Sequence, residues 1–432
     1  MKIINQPIRS DWPKLCERPL FDQQDFTATV SDILDQVKKE GDQALFDFAS
    51  TFDKVKLDQL QVSRSEFNQA SQRVSQDLKA AIKIAYDNIY KFHFSQKTQA
   101  EVIETSIGVN CWRESRAIEK VGLYIPGGSA PLFSTLLMLG IPAKIAGCSE
   151  IIVCTPPQKN GLIADAIMYT VQLIGIDKVY KIGGAQAIGA MTYGTETVPQ
   201  VYKIFGPGNQ FVTKAKELCQ VDGMAIDMPA GPSEVLVIAD DSAIPSFVAA
   251  DLLSQAEHGS DSQVILLSTS QKLIDETLIE LDKQLNLLPR KDIAKKVIQN
   301  SKAILLPDMK SCLEWSNIYA PEHLIIAIEN VQDFLPLISN AGSVFIGNYS
   351  CESAGDYASG TNHTLPTNAF AKQYSGVSLD SFQKKITFQE LSETGILNIG
   401  PAVEIMAETE ELIAHKNAMT LRLEYIKNKN ND

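Results

Sequence analysis

Two spacings of apolar residues alternate along the chain and predict where it coils and where it extends. Over the first hundred residues the apolar positions recur at three and four. Val30, Ile33, Leu34 and Val37 share one helical face, with Gly41 positioned as a terminator, and Leu78, Ile82, Ala85 and Ile89 repeat the arrangement. From about residue 118 the pattern becomes short apolar runs separated by helical stretches. The runs at 120–126, 150–157, 178–184 and 201–208 read as buried strands, and a second series follows at 234–240, 263–269, 303–308, 324–329 and 343–348. Strands alternating with helices predict parallel α/β layers. Residues 123–156 and 234–268 repeat one order (strand, loop, helix, strand), so two related lobes with a cleft between them are expected. After roughly residue 370 the strand pattern stops, and helical spacing returns over 403–423.

The expected organisation is a mainly helical region over 1–117, a first α/β lobe over 118–229, a second over 230–370 and a helical tail over 371–432. At 432 residues the chain exceeds the size at which one core stops growing, which itself requires at least two domains. The stretch 121–143 carries no charge, but Pro126, Gly127, Gly128, Pro131 and Pro142 would break a helix in lipid. A buried strand, a tight loop and a core helix are expected there instead.

Composition narrows the partners. The balance of 39 basic against 52 acidic residues gives a net charge of -13, a field that repels nucleic-acid phosphates and anionic lipid. Neither nucleic acid nor membrane is an expected partner. Seven cysteines, odd in number and without a C-x-x-C pair, fit a reducing cytosol rather than a disulfide framework or thiolate zinc site. The start, MKIINQPIRSDWPK, has no apolar signal core, so a cytoplasmic location is expected.

Candidate chemistry collects around four of the five histidines. Gln255 and His258 stand three apart between Pro245 and Gly259, on one face of an expected helix, where amide and imidazole can share a metal. A histidine meeting the helix macrodipole is the plainer account of His258 taken alone. Glu322 and His323 lie in the loop entering a buried strand; being adjacent they project differently, which suits separate proton transfers. A solvated turn is the alternative. Asp356 and His363 sit among small residues, which let backbone approach a ligand. In the tail Glu411 and His415 are four apart, a spacing that an ordinary surface pair also explains. Two imidazoles, a carboxylate and an amide together suit zinc, with nickel, cobalt and manganese left open. His93 has no acidic neighbour or motif and is expected to be structural.

Nucleotide signals are weak. There is no phosphate-loop motif, and Gly206-Pro-Gly208-Asn209 begins like a dinucleotide fingerprint but has Phe211 where its third glycine should stand. The pairs Gly127-Gly128 and Gly183-Gly184 could let backbone N–H groups approach a phosphate.

Eight ordered segments, GLYIPGGSAP, GGAQAI, FGPGN, DMPAGPSEVLVIAD, DLLSQAEHG, YAPEHL, SAGDYASGTNH and AHKNAMTLR, resemble the histidinol dehydrogenase family, over nearly the whole chain. The resemblance implies two incomplete Rossmann-like lobes and a homodimer that exchanges its tails. It implies one zinc per subunit on Gln255, His258, Asp356 and His415, and acid–base work by Glu322 and His323. Gln255, His258, His323, Asp356 and His415, with His363, Glu410 and Ser233, would contact substrate, and Tyr124, Gln186 and Asn209 would contact NAD. Here the resemblance prefers Glu410 where spacing prefers Glu411. The implied reaction is oxidation of L-histidinol to L-histidine through the aldehyde with two NAD. A related dehydrogenase acting on another amino alcohol or secondary alcohol is the alternative.

Overall fold

The structure is a computed structural model and describes residues 1–18, 26–127, 131–229 and 231–429. Along the chain it contains β1 (Lys2–Asn5), β2 (Ile103–Ser106), β3 (Val109–Ala117) and β4 (Lys120–Tyr124). Then come β5 (Glu150–Thr155), β6 (Lys178–Lys181), β7 (Lys203–Phe205), β8 (Ala225–Ile226) and β9 (Glu234–Ala239). The series ends with β10 (Gln263–Ser268), β11 (Lys302–Leu305), β12 (His323–Ala327), β13 (Ser343–Ile346) and β14 (Gln383–Leu391).

The apolar runs are continuous because each strand feeds two cores. In β4 and β5, Val121, Leu123 and Val153 enter one cluster, while Tyr124, Ile152 and Cys154 enter another on the opposite face. In the second sheet Val235, Val237 and Ile325 face one core, and Leu236, Ile238 and Ile326 face the other. Such two-sided burial requires helices on both faces, which parallel crossover connections supply.

The first sheet has the order β6-β5-β4-β7-β8 and is parallel throughout. The second, β1-β11-β10-β9-β12-β13, is also parallel and repeats that order from β9 onward, with β1 added at its edge. In both, strand direction of progression reverses beside the first strand, the topological switch point of Rossmann-like folds. The two repeated segments expected from sequence are these two β-helix-β units.

By clustering of contacts the chain forms two compact units, Met1–Gln96 with Ile118–Phe382, and Lys97–Ala117 with Gln383–Asp432. The second unit is organised by an antiparallel sheet, β14-β3-β2. This corrects the expectation that strands end near residue 370. β14 is mostly exposed and polar, so it shows no apolar run, and its pairing partner β3 lies far away in sequence. The tail is helical beyond it, in two pieces, Glu393–Thr409 and Ile413–Lys429, held together by Ile396, Leu423 and Ile426.

The uncharged stretch 121–143 forms β4 and most of the buried Phe133–Ala146 helix; Gly128 lies outside the described residues. Among the described residues no helix is long and apolar enough to cross a membrane. The seven cysteines are free thiols, five of them buried.

Candidate active site

Two sites lie in the larger unit. The first is a cavity of about 660 Å³ at the carboxyl edge of the first sheet, where Tyr124 ends β4. Tyr124, Gly184, Gln186, Asn209 and Phe211 line it, so the three residues expected to contact NAD converge there. Its walls follow from local chemistry. Gly184 takes a φ of +65°, opens the Gly184–Tyr193 helix and donates its N–H to the Tyr124 hydroxyl at 3.1 Å. Burial pushes that phenol up to about 12, so it stays protonated. Asn209 caps the Gln210–Val221 helix by accepting from the N–H groups of Phe211 and Val212, both at 3.1 Å. The segment 205–211 is therefore a strand-loop-helix turn with an asparagine cap, and Phe211 stands where a fingerprint would place its third glycine. Asp53 also lines the cavity, and its Oδ2 is buried without a partner. Desolvation raises it to about 6.

The second site forms at the opposite, amino edge of the other sheet. His323 is the first residue of β12 and pairs with Val235 of β9, so Glu234 and Glu322 stand together just before the pairing begins. The Nδ1 of His323 lies 3.1 Å from the carbonyl oxygen of Glu234. A carbonyl can only accept, so Nδ1 carries a proton, and in the neutral ring the lone pair is on Nε2. The Glu234 N–H donates to Glu322 Oε2 at 2.8 Å. Glu322 Oε2 itself is 3.6 Å from His323 Nδ1, beyond a hydrogen bond, so the two side chains are separately held.

A third piece is the short Glu352–Tyr357 helix, which packs on the Pro245–Ala256 helix. A Cβ on its Gly355 would stand 2.6 Å from the Phe345 ring, so the close seat on β13 requires glycine. This helix presents Glu352 and Asp356 one turn apart. With His258 they form a group whose ligand atoms all lie within 4.8 Å of one another. Asp356 Oδ1 is 3.6 Å from His323 Nε2.

The electrostatics are those of crowded carboxylates. Burial raises Glu352 to about 8. Burial alone would lower His323, but Glu322, Glu352 and Asp356 outweigh it and raise it well above its ordinary value. Burial likewise opposes ionisation of Asp356, yet the imidazoles of His323, His363 and His258 hold it below the usual range. Among the described residues, both amide atoms of Gln255, both oxygens of Glu352 and Nε2 of His323 are buried without partners. Each such orphan costs about 1–3 kcal/mol unless something binds it, so this donor set fits a cation and a polar substrate.

Several expectations change in detail. The helix carrying Gln255 ends at Ala256, so His258 lies just past it in a turn closed by its N–H to the Gln255 carbonyl at 3.3 Å. Glu352 is a metal-ligand candidate that the sequence reading passed over, although its four-residue spacing from Asp356 was legible. Glu411 takes a φ of +59° in the break between the tail helices, so it shares no helical face with His415. Glu410 and His415 belong to the smaller unit and are exposed in the single chain. Ser233 immediately precedes β9. His363 has both ring nitrogens engaged, Nδ1 on the Asp356 carbonyl at 2.8 Å and Nε2 on the Thr135 hydroxyl at 3.2 Å; burial lowers its pKa. His93 is buried, donates from Nδ1 to the Ile89 carbonyl at 2.8 Å, and meets the Asn362 amide at 3.3 Å.

Comparison with known proteins agrees with this architecture. Residues 16–423 match the histidinol dehydrogenase family. Histidinol dehydrogenase of Bacteroides fragilis is 56% identical over 427 residues, covering 99% of this chain and all of that protein. The crystal structure of histidinol dehydrogenase from Elizabethkingia anophelis superposes with a TM-score of 0.98 at 57% identity, covering 99% of each chain. An acetylating aldehyde dehydrogenase from Geobacillus thermoglucosidasius shares the fold alone, with a TM-score of 0.50 at 13% identity over 84% of this chain and 96% of that one. The chain belongs to the histidinol dehydrogenase family.

Proposed function

We propose that this protein oxidises L-histidinol to L-histidine through the aldehyde, using two NAD, as a cytoplasmic homodimer with one zinc per subunit. One observation carries the reading. A histidine whose Nδ1 faces a carbonyl and a separately held glutamate stand beside the His258, Glu352 and Asp356 group and the unpartnered Gln255 amide.

Gln255, His258 and Asp356 would hold the zinc together with His415, with Glu352 within reach of the same group. Bound zinc would fix the amine and imidazole of the substrate, and NAD would take up two electrons at each oxidation. In its neutral form His323 accepts the alcohol proton on Nε2, because its Nδ1 proton is committed to the Glu234 carbonyl. The neighbouring carboxylates favour the imidazolium that results. Glu322 takes a proton from the water that hydrates the aldehyde before the second oxidation. Ser233, His363 and Glu410 contact the substrate, and Tyr124, Gln186 and Asn209 contact NAD across the first cavity.

The tail supports the dimer. Ile405, Met406, Leu412, Ile413, Leu421 and Tyr425 are exposed in the single chain, an apolar surface suited to a second copy. On this reading His415 and Glu410 serve the partner's site. The test is NADH formation from L-histidinol at two equivalents per substrate, lost on chelation and regained with zinc. No NADH in the zinc-restored protein refutes it; equal rates with alcohols lacking imidazole refute the substrate.

A further inference from the structure

We propose that the buried ion pair of Arg18 and Glu234 is the positioning element for the acid–base residues Glu322 and His323. The proposal rests on the roles assigned to those two residues above. Glu234 opens β9 and is only 2% exposed. Its backbone holds both side chains of interest, the N–H on Glu322 Oε2 at 2.8 Å and the carbonyl on His323 Nδ1 at 3.1 Å. Whatever fixes the Glu234 peptide therefore fixes the direction of Glu322 and the tautomer of His323.

Arg18 fixes it from a distant part of the chain. Its Nε and Nη2 donate to the two carboxylate oxygens of Glu234 at 2.5 and 2.8 Å, a fork-to-fork contact. The Asn368 N–H adds a further bond to Glu234 Oε1 at 3.1 Å. The same guanidinium donates to the carbonyls of Tyr319 at 2.9 Å and Ala320 at 3.4 Å and stacks 4.0 Å over the Tyr319 ring. Tyr319 and Ala320 lead directly into Pro321, Glu322 and His323, and Ala320 holds a φ of +55°. Arg18 thus ties the residue whose backbone receives the two side chains to the segment that delivers them.

A plain stabilising role is the competing account, and physical chemistry disfavours it. Removing two charges from water offsets most of their attraction, so a buried pair contributes little net stability over an apolar substitute. What it does supply is direction, because a guanidinium fork accepts only one planar arrangement of its carboxylate. Neither Arg18 nor the Glu234 carboxylate is among the groups around the metal cluster, so both act through other residues.

The experiment compares Arg18→Met, Arg18→Lys and Glu234→Gln with the parent, all as zinc-loaded full-length protein. The expected result is a kcat lowered by about 10–100-fold in Arg18→Met and Glu234→Gln, with zinc content and KM for NAD unchanged. Arg18→Lys recovers part of the loss, since lysine restores the charge without the fork. A crystal structure of Arg18→Met is expected to show Glu322 and His323 displaced from the Glu234 backbone. A kcat within about twofold of the parent overturns the proposal, as does a loss shared by zinc content and NAD affinity. If the parent itself forms no NADH from histidinol, the functional reading falls instead. The Arg18→Met structure then still decides: unmoved Glu322 and His323 overturn the positioning role, and displaced ones sustain it.

Discussion

The loop that lines the Tyr124 cavity hangs on one buried ion pair, and breaking it has a calculable consequence. Lys216 and Asp227 are paired with side chains only 4% and 2% exposed. Lys216 Nζ also donates to the Gly206 carbonyl at 3.0 Å, and Asp227 accepts from the N–H groups of Gly206 and Met228, each at 2.8 Å. Both polar groups of Gly206 are thus held, three residues before Asn209 reaches the cavity. Gly206 has no freedom of its own to relax, since its φ is +125° and a Cβ there would stand 2.0 Å from the Tyr124 carbonyl. Asp227→Asn keeps the shape but strands an ammonium in the interior, a loss of about 3–5 kcal/mol. Lys216→Met should cost less, about 1–3 kcal/mol, because the carboxylate keeps its two backbone donors. The double variant removes both charges, so its loss should fall below the sum of the singles by about 2 kcal/mol or more. Denaturant unfolding followed by tryptophan fluorescence measures the cycle, and NADH fluorescence titration measures the cavity, where both singles should bind more weakly. Additivity within about 0.5 kcal/mol, with NADH affinity unchanged, would refute the reasoning.

Three further outcomes are expected. Glu322→Gln should retain its zinc while NADH formation from the aldehyde drops by about 10²–10⁴-fold, as for loss of a general base; undiminished aldehyde oxidation removes Glu322 from the mechanism. Asp53 has a folded pKa of about 6 against 3.8 for an ordinary aspartate, so the folded state keeps a proton that the unfolded chain releases. The Asp53 contribution to parent stability should therefore fall as pH rises between those two values and level off above them. The advantage of Asp53→Asn, measured by thermal melts without NAD, should be larger at high pH than at low, and an equal difference at both is the contrary result. Finally, if tails are exchanged, mixing inactive His415→Ala with inactive Glu322→Gln should restore about a quarter of parental activity through heterodimers with one intact site. Dimers that stay inactive after mixing exclude exchange.

The parallel sheets were legible in the sequence because their strands are buried on both faces, which leaves no choice but an apolar run. β14 was not, since Gln383–Leu391 is a mostly exposed, polar antiparallel strand whose Phe388 meets Trp112 only across the sheet. The short edge strand β1 escaped for the same reason. In the site, the candidate residues could be picked from motifs around the histidines, and family resemblance sharpened their roles. The helix end at Ala256, the left-handed turn at Glu411 and the approach of Glu352 to His258 and Asp356 could not be picked, because each depends on neighbours from other elements.

Local pattern by itself determined the lobes, their strand series and the residue types available for chemistry, since periodicity and composition record only which face of an element is buried. Tertiary structure alone decided that the Tyr124 cavity opens at the carboxyl edge of one sheet while Glu322 and His323 stand at the amino edge of the other. It alone joined Arg18 to Glu234 across 216 residues and set the Glu234 carbonyl against Nδ1 of His323. The physical reason is that hydrogen-bond direction and pKa depend on distances between groups remote in sequence, and no local spacing encodes those.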